Sequence, residues 1–128
     1  MASAIGIAVV SGAVGSPETR TVEIAIHYSH YEPSSITVPV GVPVTFVIHN
    51  ADPIDHEWIL GDAAVQALHR LGTELHHSAV PTEVSIDAGQ TLRTTITFER
   101  PSVLQYICHL PGHEAYGMVG TLTVAPNT

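Results

Sequence analysis

The stretch Leu104-Gln105-Tyr106-Ile107-Cys108-His109-Leu110-Pro111-Gly112-His113-Glu114-Ala115-Tyr116-Gly117-Met118-Val119-Gly120-Thr121-Leu122-Thr123-Val124 reads as a strand, a loop and a second strand. Leu104, Tyr106 and Cys108 share one face of the first strand, and 119–124 is the β-branched closing strand. Between them a thiol, an imidazole and a thioether follow one another at intervals of five residues, at Cys108, His113 and Met118. Soft sulfur ligands together with imidazole suit copper, and a trigonal set of one Cys and two His with a weak axial Met is a known copper geometry. The loop supplies all of these but one imidazole, so a second His has to come from elsewhere in the chain.

Cys108 is the only cysteine. An internal disulfide, a zinc ribbon and a Cys-x-x-Cys redox pair are therefore excluded. A lone Cys is ordinarily a buried core residue, but the Pro111-Gly112 turn with His and Met spaced after it points to a ligand. A catalytic Cys-His pair is the other reading, and no motif in the sequence supplies an oxyanion site or substrate pocket for it.

A length of 128 residues fits one domain, and 45% hydrophobic against 12% charged residues is enough for a packed core. Twelve acidic residues face four Arg and no Lys, for a net charge of −8. Nucleic acid and anionic membrane surfaces are poor partners for such a chain, whereas a cationic protein surface is steered toward it. The first 15 residues are apolar and small, about the length of an export-signal core and too short to span a bilayer. A cationic leading region is missing, so segment 1–20 is either the rear of an export signal or an extra edge strand. A membrane association is expected only if that segment is a retained anchor. The domain proper is 21–128.

Strand patterning covers most of that domain. Alternating Val22, Ile24 and Ile26 mark a half-buried strand over 21–28, and 36–40 is a second, ended by Gly41 and Pro43. The run 44–49 is a core strand, 58–60 follows a break at Asn50-Ala51-Asp52-Pro53-Ile54-Asp55, and 84–86 turns at Asp87-Ala88-Gly89 into 91–98. With the two strands of the opening stretch, this spacing predicts an all-β antiparallel sandwich or barrel of about seven to eight strands. One excursion interrupts it at about 62–80. Asp62 is placed to cap a short helix over 63–71, with Gly72 ending it, and an excursion of this length in a compact domain is usually functional or mobile. The missing ligand is then His56 in preference to His49, because His56 starts a strand just after a rigid turn and can face the Cys108 loop.

Asn50-Ala51-Asp52-Pro53-Ile54-Asp55-His56, the 98–106 segment and Cys108-x4-His113-x4-Met118-Val119-Gly120 together resemble the cupredoxins, the small blue-copper proteins, over most of the chain from residue 21. The spacing of the ligand loop is most similar to the rusticyanin and sulfocyanin branch. The resemblance implies a Greek-key β-sandwich and one type 1 copper held by His56, Cys108, His113 and Met118. It also implies one-electron shuttling between protein redox partners in an extracytoplasmic compartment (periplasmic, secreted or cell-surface), with no enzymatic reaction and no small-molecule substrate. In the family the second His passes the electron, which assigns that role to His113, with Leu110, Pro111, Ala115 and Tyr116 as its apolar surround and docking patch. Two features depart from the pattern. Glu57 stands where Asn or Ser often follows the first ligand His, and a carboxylate there favours Cu(II). The 62–80 excursion is not part of the minimal fold.

The remaining histidines need their own reading. His109 invites comparison with multicopper oxidases, where a His beside the type 1 Cys reaches a second copper, but strand alternation turns it away from the site and a hydrogen-bonded or surface role is expected. His27 and His30 are read as surface residues. His69, His76 and His77, with Glu74 among them, are either solvated loop residues or ligands of a second metal. The latter would suit a different function, a copper-binding module for tolerance or delivery.

Overall fold

The computed structural model describes residues 19–127, so residues 1–18 of the apolar N-terminal segment lie outside the described residues. In chain order the elements are β1 (Arg20–His27), β2 (His30–Glu32), β3 (Ser35–Pro39), β4 (Val44–Asn50), β5 (His56–Gly61), α1 (Ala63–Leu71), β6 (Glu83–Ile86), β7 (Thr91–Ile96), β8 (Ser102–Ile107), α2 (His113–Tyr116) and β9 (Val119–Ala125). A five-stranded sheet, β3-β9-β8-β5-β6, packs on a four-stranded one, β2-β1-β4-β7. The all-β sandwich expected from the patterning is therefore present, with nine strands described.

Strand direction departs from expectation in two places. β1 pairs parallel with β4, and β3 pairs parallel with β9, while the other pairs are antiparallel. The cause is the route of the chain. After β2 it crosses to the opposite sheet as β3 and returns as β4, and a crossover of that kind brings neighbouring strands into the same direction. Alternation of apolar residues carries no information about direction, so it could not reveal this. The three-residue β2 and the single turn of α2 were also absent from the sequence reading.

The core lies between the sheets. Ile24 and Ile26 of β1, Phe46 and Ile48 of β4, Trp58 and Leu60 of β5, Tyr106 of β8 and Leu122 and Val124 of β9 belong to one cluster of buried residues, which extends to Cys108 and Met118 at one end. Each strand contributes alternate residues, as a pleated strand with one buried face must. Tyr106 lies beside Gly120, its cross-strand partner. A Cβ at Gly120 would sit 2.1 Å from the Tyr106 ring, so only glycine lets the ring lie flat against β9.

β5 is buried on both faces, and the excursion explains why. Trp58 and Leu60 face the core, while Glu57 and Ile59 face the other way and are covered as well, being 1% and 0% exposed. The cover comes from α1. Asp62 caps it as predicted, its carboxylate accepting from the Val65 amide at 3.0 Å, and the Gly72 amide closes it on the His69 carbonyl. Gln66, fully buried, fastens the helix to the sheet by donating to the carbonyls of Ile59 and Gln105, each at 2.9 Å. Among the described residues no helix is long and apolar enough to cross a membrane.

Candidate metal centre

Three side chains from distant parts of the chain meet at one end of the sandwich. His56 begins β5, Cys108 directly follows β8, and His113 opens α2. One ligand atom from each lies within 4.8 Å of the other two. His113 Nδ1 is 3.3 Å from His56 Nδ1 and 3.2 Å from Cys108 Sγ. His56 and Cys108 are buried and His113 is half-buried, so its ring forms the boundary between the site and solvent. Met118, fully buried, completes the loop: its amide donates to the His113 carbonyl at 3.0 Å and its carbonyl accepts from the Cys108 amide at 3.3 Å. The rival ligand His49 is engaged elsewhere, with Nε2 2.7 Å from Glu23 and Nδ1 3.0 Å from Thr91 on the exterior of β4.

The chemistry of the three groups fits a metal ion. Asp52 accepts from His56 Nε2 at 2.8 Å, which fixes the proton of the neutral imidazole on that nitrogen and leaves Nδ1 a bare lone pair aimed at His113 and the thiol. Lone pairs converging in a buried space call for a cation. The separations match as well, since two nitrogens about 2.0 Å from one ion stand roughly 3.3 Å apart at an angle near tetrahedral.

Asp52 is the functional residue that sequence reasoning missed. Its carboxylate also accepts the amides of Tyr28 and Ser29, both at 2.8 Å. Those two residues form the turn between β1 and β2, with His27 paired to His30 across it, and both have left-handed φ of 52° and 56°. That is the conformation a two-residue hairpin loop needs, though glycine or asparagine is the usual occupant. Burial pushes the Asp52 carboxyl up, but hydrogen bonds from Ser29, His56 and Tyr28 outweigh this and hold it below the usual carboxylate range. The only sequence signal was an Asp within the Asn50 to Asp55 break, four residues before His56.

Glu57 keeps its amide on the Cys108 sulfur, which also receives the Leu110 amide. Burial nevertheless pushes the metal-free thiol up to about 11, and the Glu57 charge adds to that push. The Glu57 carboxylate lies on the other face of β5, where its Oε2 accepts the His109 amide at 3.0 Å and the Thr73 hydroxyl, also at 3.0 Å. His109 points away from the cluster, as strand alternation required. Its Nε2 is 2.7 Å from Gln66 Oε1, and burial lowers its pKa. His27 and His30 are exposed, as expected.

A two-sheet sandwich with two imidazoles and a thiol gathered at one end defines the class of small single-copper carriers. Residues 19–125 match the plastocyanin/azurin family of copper-binding proteins. The chain belongs to that family: it is a cupredoxin, its cofactor is copper, and it is a blue-copper protein of the electron-carrying kind, which works with protein redox partners. The copper-resistant cuproprotein CopI of Pseudomonas aeruginosa is 29% identical over 140 residues, covering 84% of this chain and 77% of that protein. CopI of Rubrivivax gelatinosus is 33% identical over 110 residues, covering 82% of this chain and 66% of that protein. Among solved structures, reduced auracyanin from Roseiflexus castenholzii superposes with a TM-score of 0.70 at 25% identity, over 87% of this chain and all of that one.

Proposed function

We propose that His56, Cys108 and His113 hold the copper, with Met118 as the weak axial ligand, and that the protein carries single electrons through the His113 edge. The observation that carries this reading is the convergence of His56 Nδ1, Cys108 Sγ and His113 Nδ1 at the end of a rigid sandwich. Bound copper supplies a centre that changes oxidation state by one electron. The chain's own task is to keep its ligands still. His56 is fixed by Asp52 and by its pairing with Ile86 at the start of β5, and the loop is closed by hydrogen bonds between Cys108 and Met118 and between Met118 and His113. Ligands held in this way resist rearrangement, which keeps the cost of electron transfer low.

The partner meets the protein around His113. Pro111, Ala115 and Tyr116 are exposed there and Leu110 is half-buried, giving an apolar rim beside the one ligand that reaches solvent. The net charge of −8 favours a partner with a cationic surface around a similar apolar contact. The contact of His109 with Gln66 supports a carrier over an oxidase, in which that residue would lead to a second copper. An extracytoplasmic location, whether periplasmic, secreted or at the cell surface, agrees with this role.

A second reading has support of its own. The relatives named copper-resistant cuproproteins favour a part in copper tolerance, in which the same centre takes up or hands over copper. Titrating Cu(II) into the metal-free protein, while following the visible thiolate-to-copper band and total bound copper, tests the primary assignment. An intense band saturating at one copper per chain, absent in Cys108→Ser, is the expected result. No band in the parent protein would remove Cys108 from the site. Copper that stays bound against a chelator during repeated oxidation and reduction favours the carrier, and copper passed to the chelator on reduction favours tolerance.

A further inference from the structure

Away from the copper centre, the excursion folds its histidines back onto the sheet. His69 on α1 and His77 in the following loop are 9% and 4% exposed, although both are polar and neither belongs to the hydrophobic core. Along with Glu83 of β6 and Glu74 they line a cavity of about 220 Å³ beneath α1. The ligand atoms of His69, His77 and Glu83 lie within 4.8 Å of one another. His76, which the sequence grouped with them, points out to Asp87 at 3.4 Å, with both side chains more than half exposed.

Hydrogen bonds assign the free nitrogens. His69 Nδ1 is 2.9 Å from the Val65 carbonyl, which can only accept, so Nδ1 carries the proton and Nε2 is bare. Thr73 donates its hydroxyl to Glu57, and His77 Nε2, 2.9 Å from the same oxygen, donates to it in turn, leaving His77 Nδ1 bare. The bare atoms then face carboxylates. His69 Nε2 is 3.4 Å from Glu83 Oε1, and His77 Nδ1 is 3.5 Å from Glu74 Oε1 and 3.8 Å from Glu83 Oε1. Two of these three separations fall within the roughly 3.3–3.6 Å between corners of a tetrahedron around an ion with bonds of about 2.0–2.2 Å, and the third, 3.8 Å, is slightly longer.

We propose that His69, His77 and Glu83, with Glu74 at the mouth, form a second metal site for a divalent ion of the zinc class. Imidazole and carboxylate suit Zn(II) or Cu(II), whereas the soft sulfur that selects Cu(I) belongs to the site built on Cys108, so the two sites differ in donor chemistry. An ion there ties α1 and the loop to β6, cross-linking the excursion to the sheet it covers. His77 Nε2 also lies 3.3 Å from Glu57 Oε1, and the Glu57 carboxylate accepts the amide of His109, the residue after Cys108, so Glu57 stands between the two sites.

The test uses protein already carrying one copper per chain, dialysed against micromolar Zn(II), with both metals counted and the visible band followed. One zinc per chain is expected, with copper and its band retained. Glu83→Gln and His69→Gln should each weaken zinc binding by about tenfold or more, and His76→Gln should leave it unchanged. Circular dichroism and an intact copper band show whether the variants are folded. No retained zinc overturns the proposal and marks the cluster as an ion-paired array held by protons. Zinc that bleaches the band by replacing copper also overturns it, as does zinc binding lost only in His76→Gln. If the parent forms no copper band, the same titration on Cys108→Ser tests the second site by itself.

Discussion

A single carboxylate sets the chemistry of the copper-proximal residues. Asp52 selects which nitrogen of His56 is bare, and it is itself pinned by two backbone amides. Asp52→Asn keeps an oxygen that can accept from His56 but loses the charge and one of the acceptors for the turn. Copper affinity, measured by competition with a chelator, should fall by about 10- to 100-fold, the usual cost of losing a partner that orients a ligand, while the visible band survives. The residues of the proposed copper loop stood out in the sequence because sulfur and imidazole in fixed spacing have few other uses. Asp52 was not legible, because its role depends on a turn 24 residues earlier. Glu83 was missed for a similar reason: the excursion folds back, with Val80 bridged to Glu83, and this brings a strand carboxylate to His69 and His77.

Among the elements, α1 was placed to the residue by its Asp62 cap and Gly72 stop, since capping is local chemistry that the sequence writes directly. What the sequence did not convey is the purpose of the helix, which is to bury the second face of β5. Gln66 does most of this fastening. Replacing it with Ala leaves the Ile59 and Gln105 carbonyls and His109 Nε2 without their partner, and should cost about 3 kcal/mol, read by urea unfolding of the metal-free protein. The strands were legible from alternation, and their boundaries moved by no more than two residues: β5 begins at His56, as its place after the turn required, and β7 ends at Ile96 rather than Phe98. Pairing direction was hidden, because it is fixed by crossovers between the sheets and not by any pattern within a strand.

For the molecule as a whole, charge and rigidity decide how it works. A net charge of −8 on a small protein creates a field that a cationic partner feels at a distance. The rate of electron exchange with such a partner should fall by about tenfold or more as ionic strength rises from roughly 0.01 to 0.15 M, where the screening length shrinks from about 30 to 8 Å. Stopped-flow exchange with a basic redox protein measures this, and a rate indifferent to salt would assign docking to the apolar rim alone. The turn at Tyr28 and Ser29 has a larger consequence. Because the first hairpin must close before Asp52 is held, and the last two strands must pair before Cys108 and Met118 meet, a chain caught partway through folding has its donors but no socket. High-affinity copper retention is therefore a readout of a finished fold, and the metal itself distinguishes complete molecules from incomplete ones.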